Sequence, residues 1–115
     1  MPDNEPFQNL MIELRRGSLT LAVLGCLETT YYGYALLQSL KDKGINIEAN
    51  TLYPLLRRLE DQGLLVSDWN TSENRPRKYY SISDTGKTVY HQLMEEWDKI
   101  QNSINTICRK DGHNE

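Results

Sequence analysis

A long apolar stripe near the C-terminus constrains the fold of this 115-residue chain more than any other feature of its sequence. Its six members follow one another at intervals of 4, 4, 3, 4 and 3 residues, and they are Val89, Leu93, Trp97, Ile100, Ile104 and Ile107. These intervals predict a single helix of about 24 residues, which is capped by Ser83 or Asp84 and ends near Cys108. The later part of the stripe has the a/d spacing of a coiled coil.

This predicted helix presents more apolar surface than the rest of the chain can cover. It is about 36 Å long, whereas the roughly 80 residues before it form only a small core. A second copy of the chain is the simplest partner for the remaining stripe, and the alternative is that the stripe folds back on the chain's own first helix. We therefore expect a homodimer whose interface joins the first and last helices through Leu10, Leu14, Leu93, Trp97, Ile100, Ile104 and Ile107.

Three further helices and one hairpin are predicted before this last helix. Leucines at helical spacing predict helices over about Phe7–Leu27, Gly33–Lys43 and Glu48–Gln62. Gly44 and Gly63 suit the left-handed residue that ends the second and third helices. Pro54 falls in the opening turns of the third, where a proline is tolerated because its lost N–H would have little or no helical partner. Two strand candidates, Leu64–Trp69 and Lys78–Ile82, flank a segment rich in turn-forming residues and therefore predict a hairpin.

The order of these elements predicts a mainly α (α+β) fold. Helix, helix, helix, strand, strand and helix is the order of a winged helix-turn-helix with a long C-terminal dimerisation helix. We expect residues 1–83 to form the winged helix-turn-helix domain, including the N-terminal helix. Residues 84–108 are then the dimerisation helix, and residues 109–115 form a tail.

The N-terminal half of the third helix has the composition of a DNA-reading surface, because this half of a helix-turn-helix enters the major groove. Its leucines fall on the side that faces a core, and they are Leu52, Leu55, Leu56 and Leu59. The outward residues carry amide, hydroxyl, aromatic and guanidinium groups, which contact base edges and phosphates: Asn50, Thr51, Tyr53, Pro54, Arg57 and Arg58. The solvated face of an ordinary amphipathic helix is the alternative, and this helix alone does not decide between the two.

The predicted hairpin tip is cationic. Arg75, Arg77 and Lys78 stand within four residues of one another, against one nearby acid, Glu73. Cations on a protruding hairpin can follow the DNA backbone or a minor groove, although a charged hairpin by itself also suits a solubilising loop. The position of this hairpin directly after a helix pair favours the DNA-binding interpretation.

Whole-chain properties weigh mildly against nucleic acid and exclude other classes. The net charge is −3 and the pI is near 5.4, whereas DNA-binding domains are usually basic; cations gathered on one face would remove this objection. The N-terminus lacks the pattern of a signal peptide and no apolar run approaches a membrane span, so we expect a cytoplasmic bacterial protein. Cys26, Cys108, His91 and His113 lack the spacing of a metal site, and we expect neither metal nor cofactor.

Several stretches of the chain resemble the PadR family of transcriptional regulators. They are Tyr32–Tyr34, Asn50–Glu60, Gly63–Leu65, Arg77–Ile82 and Thr85–Gly86, and with the flanking helices they span nearly the whole chain. The resemblance implies winged helix-turn-helix dimers in which the C-terminal helix packs on the partner's first helix. The first of these stretches adds Tyr34 to the expected DNA contacts.

The chain resembles the short subfamily with a single C-terminal helix, which makes phenolic acids doubtful as its ligands. Trp97 is similar to the tryptophan of the multidrug-sensing short members, whose paired indoles line a drug cavity between subunits. The same resemblance implies that Leu14, Ser18, Met94 and Ile100 line this cavity with Trp97. The alternative is that Trp97 is simply a core residue of the interface.

These observations together predict a transcriptional repressor that binds an inverted-repeat operator in double-stranded DNA as a homodimer. A planar aromatic or cationic small molecule at the dimer interface is the expected releasing ligand. A winged-helix module that binds only protein is less consistent with the cationic, hydrogen-bonding surface. An enzyme is disfavoured because no nucleophile–base pair, phosphate loop or carboxylate dyad stands out.

Overall fold

The computed structural model describes residues 4–72 and 74–109 and contains four helices and three strands in those ranges. The helices are α1 (Glu5–Cys26), α2 (Gly33–Asp42), α3 (Ala49–Asp61) and α4 (Asp84–Cys108). The strands are β1 (Tyr31–Tyr32), β2 (Leu65–Asn70) and β3 (Arg77–Ile82). The predicted mainly α fold with a long C-terminal helix is confirmed. Glu73, His113 and the expected tail, apart from Arg109, lie outside the described residues.

A short strand that the sequence analysis did not predict completes the sheet. β1 pairs antiparallel with β3, so that the strand order is β1-β3-β2. Tyr31 lies opposite Tyr80, and Tyr32 lies opposite Tyr79. β1 has only two residues, which is too short for an alternating apolar pattern to be visible in the sequence. We call the β2–β3 hairpin the wing, and β1 anchors the start of α2 to its strand β3.

The core lies between α2, α3, the C-terminal half of α1 and the base of the sheet. The leucines predicted to face inwards on α2 and α3 are all buried: Leu36, Leu37, Leu40, Leu52, Leu55, Leu56 and Leu59. Val23, Leu24 and Leu27 join them from the end of α1, and Tyr80 and Ile82 from β3. The helical spacing of the leucines therefore predicts this part of the packing correctly.

Backbone geometry confirms two of the predicted helix ends and corrects one detail. Gly44 and Gly63 have φ angles of +93° and +79°, in the left-handed region that glycine adopts at low cost. Pro54, in contrast, is the sixth residue of α3 and therefore lies beyond its first turn. Because proline has no N–H, the carbonyl of Asn50 cannot accept the usual helical hydrogen bond from residue 54. The expectation that this proline removes little helical bonding is wrong for that reason.

The start of α4 is fixed against the loop that follows α3. The Ser83 side chain caps the helix by accepting a hydrogen bond from the Gly86 amide at 2.9 Å, and its hydroxyl donates to the Gly63 carbonyl at 2.7 Å. A Cβ on Gly86 would lie 2.1 Å from the Leu64 carbonyl oxygen, so only glycine allows this approach. The direction in which α4 leaves the domain is therefore set by the winged core.

α4 packs on α1 of the same chain for only part of its length. The Tyr90 ring lies over Gly25, where an added Cβ would be 2.9 Å from the tyrosine oxygen. Farther along α4, Ile100, Ile104 and Ile107 are exposed. Folding back on α1, the alternative considered from the sequence, thus accounts for the beginning of the stripe and leaves its later part uncovered in the single chain.

Candidate nucleic-acid interface

The face of α3 opposite its buried leucines is open to solvent. All six residues expected to read DNA from this helix are exposed: Asn50, Thr51, Tyr53, Pro54, Arg57 and Arg58. The separation of buried leucines from exposed residues on α3 follows the helical period, since a residue and its third or fourth neighbour lie on the same side. Hydrogen-bond donors, an aromatic ring and two guanidinium groups are therefore displayed on one surface of a firmly packed helix.

The start of α2 holds one of these side chains in place. A Cβ on Gly33 would lie only 2.5 Å from Cε1 of Tyr53 and 2.8 Å from its hydroxyl oxygen. The Tyr53 ring therefore rests directly on the backbone of Gly33, which a larger residue would prevent. Tyr34, the next residue, is 58% exposed. The Tyr–Gly–Tyr stretch thus serves the contact between the two helices of the helix-turn-helix.

A groove of about 480 Å³ runs between α2, α3 and the wing. Aromatic and cationic side chains dominate its lining, which comprises Tyr32, Gly33, Tyr34, Tyr53, Trp69, Arg75, Pro76, Arg77, Lys78 and Tyr80. Five of the ten residues expected to bind DNA, from all three elements, therefore share one concave surface. The remaining five lie on α3 outside this groove. Trp69, which is 61% exposed on β2, was not among the expected contacts.

The two arginines of the wing, Arg75 and Arg77, differ in the contacts that their side chains make. The Arg77 guanidinium stacks on the Tyr32 ring at 4.4 Å from its centroid, and Tyr32 meets Tyr79 edge-on at 5.6 Å. A stacked guanidinium keeps its N–H edge available for a phosphate while its plane is fixed. Arg75 is exposed and has no ion pair with any other described residue. β1 therefore contributes the platform that orients Arg77, a role that the sequence analysis missed.

Lys78, the third expected wing cation, is engaged within the protein. Its Nζ lies 3.4 Å from Oε1 of Glu60 in the last turn of α3 and 5.4 Å from the centroid of the Tyr80 ring. The Ser67 hydroxyl donates a hydrogen bond to the other oxygen of the same carboxylate. The Ser67 hydrogen bond and the nearby Lys78 ammonium hold the pKa of Glu60 below its ordinary value, and partial burial opposes them. Glu60 is therefore ionised at neutral pH.

Tyr80, whose ring lies near the Lys78 ammonium, belongs to the buried core. Its ring is 8% exposed, and burial, which disfavours the phenolate, raises the pKa of its hydroxyl. The side chain therefore stays neutral and acts as part of the floor of the groove. Neither Glu60 nor Ser67 was identified from the sequence, because an acid and a serine seven residues apart on different elements form no recognisable motif.

A second groove, of about 430 Å³, lies between α1, α4 and the end of α2. Three of the five residues expected to bind a ligand line it, namely Ser18, Met94 and Trp97. Its other walls come from Leu21, Ala22, Gly25, Cys26, Leu40, Lys43, Ile45 and Tyr90. Leu14 and Ile100 do not line this groove, and they are 80% and 55% exposed. A single chain therefore brings together only part of the expected ligand site.

The residues expected at a dimer interface are exposed in the single chain. They are Leu10, Leu14, Leu93, Trp97, Ile100, Ile104 and Ile107. Exposed apolar stripes of this extent are uncommon on monomeric proteins and typically mark interaction surfaces. Both long helices contribute, and both do so on the parts that lie away from the winged core.

Within residues 4–72 and 74–109, no three His, Cys, Asp or Glu side chains come together in a way that could hold a metal ion. Over the same part of the chain, no helix combines the length and the apolar character needed to span a membrane.

Known proteins share both the sequence and the fold of this chain. A family model described as the transcriptional regulator PadR-like family matches residues 21–92. A crystal structure of a PadR family transcriptional regulator from Eggerthella lenta has a TM-score of 0.87 and 44% sequence identity, and the match covers 94% of this chain and 96% of that one. The transcriptional regulator Rv3488 of Mycobacterium tuberculosis is 35% identical over 80 residues, which are 69% of this chain and 75% of the relative.

A structure of Bacillus subtilis PadR in complex with operator DNA is also similar. It has a TM-score of 0.61 and 25% identity, and the match covers 66% of this chain but only 46% of that longer one. The family model and the structures confirm the resemblance drawn from the Tyr–Gly–Tyr stretch, α3 and β3. The chain belongs to the PadR-like family of transcriptional regulators and has the winged-helix fold of that family.

Proposed function

We propose that this chain is a transcriptional repressor that binds double-stranded DNA through α3 and the wing. The observation that carries the proposal is the groove in which α2, α3 and the wing present cationic, aromatic and hydrogen-bonding side chains together. The solved complex of a family member with operator DNA supports the same partner for this chain. Asn50, Thr51, Tyr53 and Arg57 are proposed to contact base edges, because α3 displays them on its exposed face.

The proposed phosphate contacts surround this reading surface. Arg75 and Arg77 extend from the wing, Arg58 lies on α3, and Tyr34 lies at the start of α2. Such contacts fix the register of a protein on the duplex without reading its sequence. Pro54 adds an apolar contact on the exposed face of α3. Locally concentrated cations of this kind let an acidic chain bind DNA despite its net charge of −3.

The proposed active form is a homodimer that reads an inverted repeat. The exposed stripes of α1 and α4 need a partner, and a two-fold assembly of the same surface is the simplest closed solution. A two-fold dimer matches two-fold symmetric DNA with half-sites about one helical turn apart. We propose a cytoplasmic bacterial location, since that is where operator DNA is found.

Release by a small molecule is a second proposed function, favoured by the groove at Trp97. Ser18, Met94 and Trp97 already line a groove of about 430 Å³ in one chain. A partner's stripe would add Leu14 and Ile100 to a closed cavity for a planar aromatic or cationic compound. Such a ligand relieves repression when it binds best to a dimer whose reading helices are wrongly spaced for DNA.

Binding to the DNA upstream of the chain's own gene tests the main proposal. The logarithm of the binding constant should fall steeply and linearly with the logarithm of salt concentration, as expected for a protein that displaces counterions from phosphates. The Asn50→Ala variant should lose preference for that sequence over a scrambled duplex. Asn102→Ala, which removes an equally exposed amide from α4, serves as the control. Equal binding of the specific and scrambled duplexes by the wild-type protein would contradict the proposed function.

A further inference from the structure

The carboxylate of Glu60 links α3 to both strands of the wing. Glu60 lies in the last turn of α3 and accepts a hydrogen bond from the Ser67 hydroxyl on β2. It also pairs with Lys78 Nζ on β3 at 3.4 Å. The side chains of Lys78 and Glu60 are 34% and 30% exposed, so the pair is partly shielded from solvent. We call these three residues the Glu60 clasp.

We propose that the Glu60 clasp sets the angle between α3 and the wing, and that Glu60 and Lys78 are positioning residues for DNA binding. This inference rests on the proposed function. α3 and the wing must reach the same half-site together, in the groove and along the adjacent backbone. A small rotation of the wing about its base would move Arg75 and Arg77 away from phosphates that α3 alone cannot reach.

The clasp lies where the wing leaves the core. In the β2–β3 register, Ser67 is opposite Tyr80 and Trp69 is opposite Lys78, so these four side chains share one face of the hairpin. Tyr80 belongs to the buried core, whereas residues 69–72 and 74–76, towards the tip, are exposed. The clasp therefore acts at the boundary between the packed base and the projecting part of the wing, where a tie has most effect on the wing's direction.

The charge of Glu60 makes two possible roles distinguishable by the direction in which its removal changes DNA affinity. Glu60 already neutralises Lys78, which makes this lysine a poorer counterion for phosphate than the exposed Arg75. By electrostatics alone, removing a carboxylate beside bound DNA should strengthen binding, because the carboxylate repels phosphates. If the clasp positions the wing, removing the same carboxylate should weaken binding. The two roles thus predict opposite effects for one substitution.

The test compares Glu60→Gln with Asp61→Asn in DNA binding over a range of salt concentrations. Both substitutions remove one negative charge from neighbouring residues of α3, but Asp61 is exposed and has no ion pair with another described residue. We expect Glu60→Gln to weaken binding about tenfold, the loss of one charge-assisted contact, with an unchanged salt slope. Asp61→Asn should bind as tightly as the wild type or more tightly. Thermal unfolding of both variants reports any loss of stability separately.

A shortened duplex distinguishes positioning of the wing from general loosening of the fold. If the flanking base pairs that the wing reaches are removed, wild type and Glu60→Gln should bind equally, because the wing no longer contributes to affinity. A purely structural defect would persist on the short duplex. Ser67→Ala, which leaves both charges in place, should show the same dependence on duplex length with a smaller loss. This variant keeps the test decisive if Glu60→Gln folds poorly.

The role of Lys78 is tested by Lys78→Met alone and together with Glu60→Gln. The double variant should bind about as weakly as the weaker single variant, since either substitution already breaks the pair. Glu60→Gln binding as well as or better than wild type would overturn the inference. So would a Lys78→Met variant whose salt slope falls by about one, the mark of a direct phosphate contact. Either result would leave DNA binding by the wild-type protein, and thus the proposed function, intact.

Discussion

The winged core buries its apolar side chains within one chain, whereas the long helices α1 and α4 leave many of theirs exposed. In the core, Leu24, Leu36, Leu52 and Leu56 have no exposed surface at all. Among the described residues, by contrast, most exposed large hydrophobic side chains belong to α1 or α4: Phe7, Leu10, Ile12, Leu14, Leu93, Trp97, Ile100, Ile104 and Ile107. One region is packed within a single chain, and the other exposes the apolar surface of the proposed interface.

Local charge also differs between the two regions. The exposed face of α3 carries Arg57 and Arg58, and the wing carries Arg75, which is also exposed. On α4, the exposed acids Glu95, Glu96 and Asp98 flank the indole of Trp97. Arginines thus lie on the proposed DNA-binding surface, whereas acids surround Trp97 in the proposed interface. Substitutions should therefore affect either DNA contact or association, and the following experiments test that separation.

The largest expected effect is loss of stability on truncating the core. Leu56→Ala should lower the free energy of unfolding by about 2–5 kcal/mol, because it removes buried methyl groups and leaves a cavity. Denaturant titration measures this loss. Because Leu56 packs entirely within one chain, the loss should be the same at low and high protein concentration. A loss that appeared only at low concentration would show that the core also depends on the partner.

A charge placed on the α4 stripe should affect association of the chains and not the packing of the core. Ile104→Asp should convert the proposed dimer to monomer at micromolar concentration, because an unpaired charge in the interface costs a few kcal/mol. Asn102→Asp adds the same charge to the opposite face of α4 and should leave the dimer intact. Sedimentation velocity distinguishes the two. A wild-type protein that sediments as a monomer at micromolar concentration would overturn the proposed interface.

The helical parts of the fold could be predicted from the sequence because local patterns specify them. Leucines at spacings of three and four identify the buried sides of α2 and α3, and Gly44 and Gly63 mark their ends. The hairpin is also visible, since turn-forming residues separate two strand-like segments. β1 could not be predicted, because Tyr31 and Tyr32 form a strand only through pairing with β3, about 50 residues away.

In the candidate site too, the sequence identifies residues from local pattern but not the contacts that tertiary packing creates. Residues of α3 and the wing could be named individually from residue type and order along the chain. Their partners could not be named: the Tyr32 ring beneath Arg77, and the Glu60 carboxylate beside Lys78, are brought there by tertiary packing. Sequence alone therefore treats three wing cations as equivalent. The structure distinguishes one stacked arginine, one exposed arginine and one paired lysine.

Neutralising the exposed arginine of the wing, Arg75, should affect DNA binding without affecting association. Arg75→Gln should weaken binding to all sequences alike and reduce the salt slope by about one, because one phosphate contact is lost. Anisotropy titrations with specific and scrambled duplexes at several salt concentrations measure both quantities. Sedimentation of the variant should be unchanged. If affinity and salt slope stayed at the wild-type values, the wing would have no part in phosphate binding.

The smallest expected effect concerns Trp97, where the comparison between a filled and an open interface is most direct. The indole is 38% exposed in the single chain and lines the groove with Ser18 and Met94. If the two-fold interface is filled, the indole only packs there. If the interface leaves a cavity, the indole and its symmetry mate can sandwich a planar ring, which contributes about 0.5–1.5 kcal/mol per contact beyond area burial. A cationic ring gains further from the indole face.

A fluorescence titration with the planar cation 9-aminoacridine distinguishes these two states. The chain has two tryptophans, and the other, Trp69, lies on the wing, so Trp69→Phe leaves Trp97 as the sole reporter. We expect the dye to quench this variant in the absence of DNA, at concentrations where the protein is dimeric. Trp97→Ala should bind the dye several-fold more weakly, as the loss of stacking requires. Equal dye binding by wild type and Trp97→Ala would exclude the indole sandwich, and absence of quenching in Trp69→Phe would identify a filled interface. At concentrations where sedimentation shows that Trp97→Ala is dimeric, its DNA affinity without dye should equal that of the wild type, because α3 and the wing are unaltered. Ligand binding and DNA binding are then separable in one experiment.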